Sequence, residues 1–258
     1  DNTQLLENNL TMTASLALKQ EVIYYPDTDG EPMAESDSQR KPLTYLVDAL
    51  DLHFQPQSDI YVSGNLLIYY EEGDPTRSLA PDVFVVLGVP KHDRDIYQIW
   101  VEGKGPEVAI EITSRTTRRT DERVKPDLYQ RLGVREYFQY DPKGHYLKPA
   151  LRGRRLNAAG QYEPMTSIRG IDGSVWLTSA SLGLQLRLEG NRLRIFDPRR
   201  QEYLDTYSEA VTGRRQAERQ LAAERQRAEQ EQQRAEQERQ RADKLASQLR
   251  ALGIEPDQ

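Results

Sequence analysis

Three side chains of this 258-residue chain are of types that could carry out hydrolysis together: Asp82, Glu111 and Lys125. Asp82 follows Pro81 and opens the apolar run Val83-Phe84-Val85-Val86, and Glu111 lies inside Val108-Ala109-Ile110-Glu111-Ile112-Thr113. On a strand, alternation puts Glu107, Ala109, Glu111 and Thr113 on one face and Val108, Ile110 and Ile112 on the other. A lone carboxylate in a buried strand is costly to desolvate unless it is paired or metal-bound. Two on adjacent strands repel each other and raise at least one pKa. A hard divalent cation removes both penalties, and Mg²⁺ is content with one or two carboxylates when waters and phosphate oxygens fill its remaining positions. Lys125 could then orient the attacking water or offset charge on a scissile phosphate. Tyr129, four residues on, shares its face if one helix runs through both. Pro126 admits two geometries: a helix beginning at Pro126 with Lys125 just outside it, or a helix kinked there. Each residue also has an ordinary structural role open to it. Asp82 could be a strand-start turn residue, Glu111 could pair with Arg118 or Arg119, and Lys125 could be a solvated helix residue.

Other chemistries are excluded. There is no cysteine, so disulfides, thiolate metal sites and cysteine nucleophiles are ruled out. His53, His92 and His145 are far apart, lack ligand spacing and are expected at turns or on the surface. No phosphate-binding or dinucleotide-binding glycine loop and no nucleophile-elbow serine is present. Arg115, Arg118, Arg119 and Arg123 cluster beside Glu111, where they could touch phosphates or form a solvated, ion-paired surface.

The elements that must position these groups read as mixed α and β. Gln39–Leu52 has helical spacing at Leu43, Leu46, Val47 and Leu50. Strands are predicted over Asp59–Tyr70, Pro81–Leu87, Asp95–Val101, Glu107–Thr113 and Arg135–Tyr140, with a helix over Thr120–Leu132 ending at Gly133. Further strands are predicted at Tyr146–Leu151, Arg154–Leu156, Leu184–Leu188 and Leu193–Phe196. Their order suggests an α/β fold with a core sheet and helices beside it.

Residues 209–252 differ from this body. From Glu209 to Arg250, ten basic residues interleave with eight acidic ones in a background of Gln and Ala. The expectation is a long solvated helix or a weak coiled coil, with Leu245, Leu249 and Leu252 its most apolar part and homo-oligomerisation as its use. The domain reading is therefore a body of 1–208, a helix of 209–252 and a tail of 253–258. The body carries the whole net charge of −6, which works against a broad phosphate-binding surface. No apolar run is long enough for a membrane span and the N-terminus lacks a signal-peptide layout, so a cytoplasmic protein without membrane partners is expected.

Taken in order, Pro81-Asp82-Val83-Phe84-Val85-Val86-Leu87-Gly88, Val108-Ala109-Ile110-Glu111-Ile112-Thr113-Ser114, Thr116-Thr117, Asp121, Lys125, Tyr129 and Leu132-Gly133-Val134-Arg135-Glu136-Tyr137-Phe138-Gln139-Tyr140-Asp141-Pro142 resemble the Uma2 family. That family, also called DUF820, is abundant in cyanobacteria, and the likeness runs from about Ile23 to the end of the body. The resemblance implies a restriction endonuclease-like PD-(D/E)xK core: a mixed central β-sheet flanked by helices, here with extra C-terminal strands and a long polar C-terminal helix. It implies DNA as substrate and Mg²⁺ or Mn²⁺ as cofactor. Asp82 matches the Asp of the PD half-motif and Glu111 the acidic position after it. Position 113, where the motif's lysine should stand, is Thr113, and Lys125 matches the family's helical lysine. An upstream acid often completes the metal shell of this fold, for which Glu35 is the first candidate and Glu31 the second. The alternative function is a catalytically inactive nuclease fold that serves protein–protein interaction through its C-terminal helix.

Overall fold

The computed structural model of the chain describes residues 23–28, 30 and 36–251. The spacing of Leu43, Leu46, Val47 and Leu50 yields a helix at Asp37–His53, which buries Leu46, Ala49 and Leu50. The strand predicted over Asp59–Tyr70 is instead two strands, Ile60–Ser63 and Ile68–Tyr69, in different sheets. The chain turns between them at Gly64 and Asn65, where Asn65 takes a left-handed φ of 50°. A Cβ on Gly64 would lie 2.3 Å from the Asp82 carbonyl oxygen and 2.9 Å from Val47 Cγ2, so only glycine permits this approach. Gly64→Ala is therefore expected to lose about 1–3 kcal/mol of stability through overpacking. An unchanged urea midpoint would show that the contact relaxes freely.

Two other predicted strands are corrected. Asp95–Val101 shrinks to Tyr97–Gln98 and continues as the helical turn Ile99–Glu102. The Arg94 guanidinium, 2.8 Å from Glu102, closes this segment on itself, and Gly103, at φ 72°, caps the turn. Tyr146–Leu151 is mostly loop, and the strand begins at Leu151 and runs to Leu156. The Asp141 carboxylate accepts the N–H groups of Lys143, Tyr146 and Leu147, so the loop's donors are used there rather than in a ladder. Strands at Tyr162–Pro164, Ile168–Arg169, Val175–Ser179 and Glu202–Tyr203 had no predicted counterpart.

The fold is α/β, with a central mixed sheet of six strands. Their order across the sheet is Ile60–Ser63, Val83–Leu87, Val108–Ile112, Glu136–Tyr140, Leu151–Leu156 and Tyr162–Pro164. Val108–Ile112 and Glu136–Tyr140 run parallel, and the other neighbours run antiparallel. A parallel pair needs a crossover, and residues 120–131 supply it as a helical segment. A second, five-stranded antiparallel sheet is built from the strands between Ile168 and Tyr203, and a small three-stranded sheet contains Ile68–Tyr69.

Alternation along the central strands divides the interior in two. Val83, Val85, Val108, Ile110, Ile112 and Phe138 join the buried cluster formed with Leu46, Leu50 and residues of the second sheet. Phe84, Val86, Ala109 and Tyr137 join the other, which contains Tyr129 of the crossover. Glu111 shares the face of Ala109, so it points toward the crossover and away from the larger core.

The chain falls into two units, Asp1–Leu204 and Asp205–Gln258. In the second, the helix Tyr207–Ala251 has no buried residue. It starts with a reciprocal cap in which the Thr206 N–H donates to Glu209 Oε2 at 2.8 Å and the Glu209 N–H donates to Thr206 Oγ1 at 3.3 Å. Exposed pairs such as Arg214–Glu218, at 2.9 Å, decorate its surface.

Candidate active site

Strand pairing brings the two acids side by side. Val83 stands opposite Ile110 in the antiparallel register, so Asp82 lies one step beyond, beside Glu111. Asp82 Oδ2 accepts the Ile112 N–H at 2.6 Å. That bond fixes its carboxyl against the backbone of the residue following Glu111. Its other oxygen makes no hydrogen bond among the described residues.

Glu111 is 1% exposed and both of its oxygens are engaged. Tyr129 donates its hydroxyl to Oε1 at 2.6 Å, and Lys125 Nζ donates to Oε2 at 2.7 Å. Glu111 thus pairs with Lys125 and Tyr129 rather than with Arg118 or Arg119. Lys125 Nζ also lies 3.4 Å from Asp121 Oδ1, and its side chain is 17% exposed, so solvent reaches it.

The crossover explains how Lys125 gets there. Residues Thr120–Val124 form a π-helical turn, and the Lys125 N–H donates to the Thr120 carbonyl, five residues back. The α-helix Lys125–Arg131 follows, with Lys125 at φ −61° and ψ −41°. The helix does not begin at Pro126 with Lys125 outside it: helical structure runs through both residues, and the distortion takes the form of the π-helical turn before them. Pro126 sits in the first turn, where its missing N–H costs nothing, and the widened turn before it separates its ring from the preceding carbonyls. Tyr129 then stands one turn beyond Lys125 on the same face.

Asp121 was quoted in the sequence without a role, yet it is 1% exposed and neither carboxylate oxygen has a hydrogen bond among the described residues. Its backbone is held firmly, because Tyr137 and Gln139 both donate to its carbonyl, at 2.8 and 2.9 Å. The signal that could have found it is its spacing of four from Lys125.

The other buried acids are fully satisfied. Glu107, just before the strand of Glu111, pairs with Arg135 at 2.8 Å and Lys104 at 2.9 Å. Glu136 receives Arg155 at 2.8 Å, the Ala180 N–H at 2.9 Å and the Ser179 hydroxyl. Glu111 and Asp121 instead share one ammonium, and Asp82, beside Glu111, has no ion pair among the described residues. Burial first, and then the Glu111 charge, push the Asp82 carboxyl up to about 8. Burial likewise raises Glu111, against the pull of Lys125. Burial acts to lower Lys125, but Glu111, Asp121 and Asp82 outweigh it and hold the ammonium above its ordinary range. Burial and the neighbouring Glu111 keep the Tyr129 proton on its oxygen as a neutral donor. Replacing Tyr129 by Phe is expected to cost about 2 kcal/mol, the scale of a hydrogen bond to a charged group. Chemical denaturation would check this, and an unchanged stability would show that Lys125 alone satisfies Glu111.

Among the described residues no group of three or more His, Asp or Glu side chains is arranged to hold a metal ion. Glu35 and Glu31 lie outside the described residues. The donor set nevertheless fits a hard dication: two adjacent carboxylates, of which Asp82 has an oxygen free of protein donors and is disfavoured in its ionised form by burial and by Glu111. His92 and His145 are exposed and His53 half-buried, and none contacts this cluster. Arg115, Arg118, Arg119 and Arg123 are exposed on the segment following Glu111, and none forms an ion pair among the described residues.

A family model named Uma2, described as "Putative restriction endonuclease", matches residues 18–209. A solved structure of a "putative nuclease belonging to DUF820" from Anabaena variabilis ATCC 29413 is 16% identical, covers 61% of this chain and 87% of its own, and superposes with a TM-score of 0.40. No curated protein matches the chain. Among the described residues no helix is long and apolar enough to cross a membrane.

Proposed function

The chain belongs to the Uma2 family, and from that premise we propose that its body is a metal-dependent endonuclease that hydrolyses phosphodiester bonds of DNA in the cytoplasm. The observation that carries this reading is the gathering of Asp82 beside Glu111 on adjacent strands, with the Lys125 ammonium 2.7 Å from Glu111 and 3.4 Å from Asp121. Asp82 and Glu111 are the residues that would hold Mg²⁺ or Mn²⁺, with Glu35 as a third acid. When bound, the ion supplies Lewis-acid stabilisation of charge on the phosphate. Lys125, fixed by Glu111, places a positive charge where negative charge develops on the phosphoryl oxygens and orients the attacking water. Tyr129 anchors Glu111 in the conformation that presents it to Lys125. The four exposed arginines provide local phosphate contacts that the body's net −6 otherwise opposes. The test is incubation of supercoiled plasmid DNA with the purified protein. Nicking with Mg²⁺ or Mn²⁺ and none in EDTA is expected, and intact plasmid with both ions would defeat the reading.

The raised acids also set a sign for pH dependence. In the metal-free folded protein Asp82 holds its proton up to about 8, whereas the unfolded chain releases it near its ordinary 3.8. Between these values the folded state binds more protons, so this contribution to stability falls as pH rises. Glu111 has the same sign. Mg²⁺ is therefore expected to raise the melting temperature more at pH 9 than at pH 5. An equal or opposite difference in calorimetry would contradict the proposed ligands.

A second reading rests on the C-terminal helix, which exposes Tyr207, Leu221 and Leu245 on an otherwise polar surface. In it, residues 209–252 assemble copies of a catalytically silent nuclease fold. Sedimentation of the full chain should then show an oligomer that Leu221→Glu with Leu245→Glu dissociates. A monomeric wild type removes this reading.

A further inference from the structure

The face that carries Glu111 continues across two more strands. Glu111 is paired with Gln139, and Gln139 with Arg152, so these three side chains form a row across the central sheet. At about 4.8 Å between strands, Arg152 stands about 10 Å from Glu111 along that row. Arg154 is two residues further along the same strand, on the same face, opposite Tyr137. Arg152 is tied to Glu122 at 3.2 Å and to the Lys148 carbonyl at 2.8 Å. Arg154 forms no hydrogen bond and no ion pair among the described residues, although it is half-buried. The groups its charge acts on are the phenols of Tyr137 and Tyr162.

Both arginines line an open cleft of about 640 Å³ at this end of the sheet. The pairing strand Tyr162–Pro164 meets Arg154–Leu156, and next to it the Met165 N–H donates to the Gly153 carbonyl at 2.8 Å. On the face of Arg154 the lining includes half-buried Tyr162 and exposed Pro164, with Thr166 on the exposed rim, whereas Leu151 and Leu177 are buried in the larger core on the opposite face. Gln139, which also lines the cleft, donates to the Asp121 carbonyl, so one residue joins the cleft to the candidate active site.

An unpaired guanidinium beside an apolar floor suits a ligand with an anionic group and a flat apolar one. A nucleic-acid strand rising about 3.4 Å per nucleotide covers the row from Glu111 to Arg152 in about three nucleotides. We propose that this cleft is a nucleotide-binding subsite of the same enzyme: Arg154 takes a phosphate of the bound strand, and the adjoining nucleobase lies on the floor made by Tyr162 and Pro164, which share Arg154's face. The proposal rests on the nuclease reading and extends it to a second place of contact on the substrate.

Binding of a fluorescent oligonucleotide, followed by anisotropy across a salt series with Ca²⁺ in place of Mg²⁺, tests it without turnover. Arg154→Ala should weaken binding about 5- to 20-fold at low salt and reduce the slope of log K against log salt by about 0.7–0.9, the loss of one phosphate contact. Thr166→Trp, a change at an exposed position, should fill the mouth and weaken binding with little change in that slope. Arg199→Ala, at an exposed arginine on the second sheet's side of the body, serves as the control and should bind as wild type. Wild-type affinity and slope in both Arg154→Ala and Thr166→Trp would overturn the subsite while leaving the nuclease reading standing. A wild-type protein that neither binds nor cleaves DNA would overturn both.

Discussion

Lys125→Met is expected to lower folding stability by about 3 kcal/mol and to reduce cleavage by about 100-fold or more. The stability loss follows from what remains: Glu111, 1% exposed, would keep only the Tyr129 hydroxyl, and Asp121 would face no cation. Removing one partner of a buried pair leaves the other charge uncompensated, which typically costs about 3–5 kcal/mol. The rate loss follows from removing a preorganised positive group from the reacting phosphate, an effect on the order of 100- to 1,000-fold. The two losses separate in the double variant Lys125→Met with Glu111→Gln. Neutralising the acid should recover part of the stability, because no charge is left stranded, while activity stays lost. Urea unfolding and single-turnover cleavage check the pair. A Lys125→Met protein as stable as wild type would show that the buried acids are neutral in the folded state and that Lys125 balances nothing.

Asp82→Asn should separate the two properties in the opposite way, with stability equal to or above wild type and cleavage about 100-fold lower or worse. The amide keeps an acceptor for the Ile112 N–H, whose bond to Asp82 is 2.6 Å long, and it removes the negative charge that burial and Glu111 oppose. Partners outside a metal's ligand set already cost about 10- to 100-fold when lost, so loss of a ligand should reach at least the upper end. Thermal unfolding at pH 8 and above, where the carboxyl ionises, should show the largest gain. A destabilised Asp82→Asn protein with full activity would mean that Asp82 serves the strand and not the reaction.

Alternation in Val108-Ala109-Ile110-Glu111-Ile112 was enough to place Glu111 opposite the apolar face, because a period of two leaves a buried strand few choices. Asp82 was legible for the same reason, at the mouth of an apolar run that could only be an interior strand. The π-helical turn was not legible. A helix of ordinary period over Thr120–Leu132 and a five-residue turn followed by an α-helix share the same composition, and only the Lys125 N–H bond to Thr120 distinguishes them. Asp121 escaped notice because it sits in a polar run, Thr120-Asp121-Glu122-Arg123, and its burial comes from Tyr137 and Gln139 gripping its carbonyl from the next strand. The Asp59–Tyr70 segment read as one strand because its residue types suit a strand throughout, while the close approach of Gly64 to the Asp82 carbonyl is a long-range contact that local pattern does not contain. Arg154 likewise became conspicuous only when its neighbour Arg152 proved to be paired and it did not.

The proposed hydrolysis depends most on Asp82 and Glu111 holding one dication beside Lys125. Mn²⁺ binding followed by electron paramagnetic resonance measures this directly, without DNA and without turnover. The expected result is stoichiometric binding by the wild type at millimolar Mn²⁺, weakened about tenfold or more in both Asp82→Asn and Glu111→Gln. Absence of binding in the folded wild type, or unchanged binding in both variants, would contradict it.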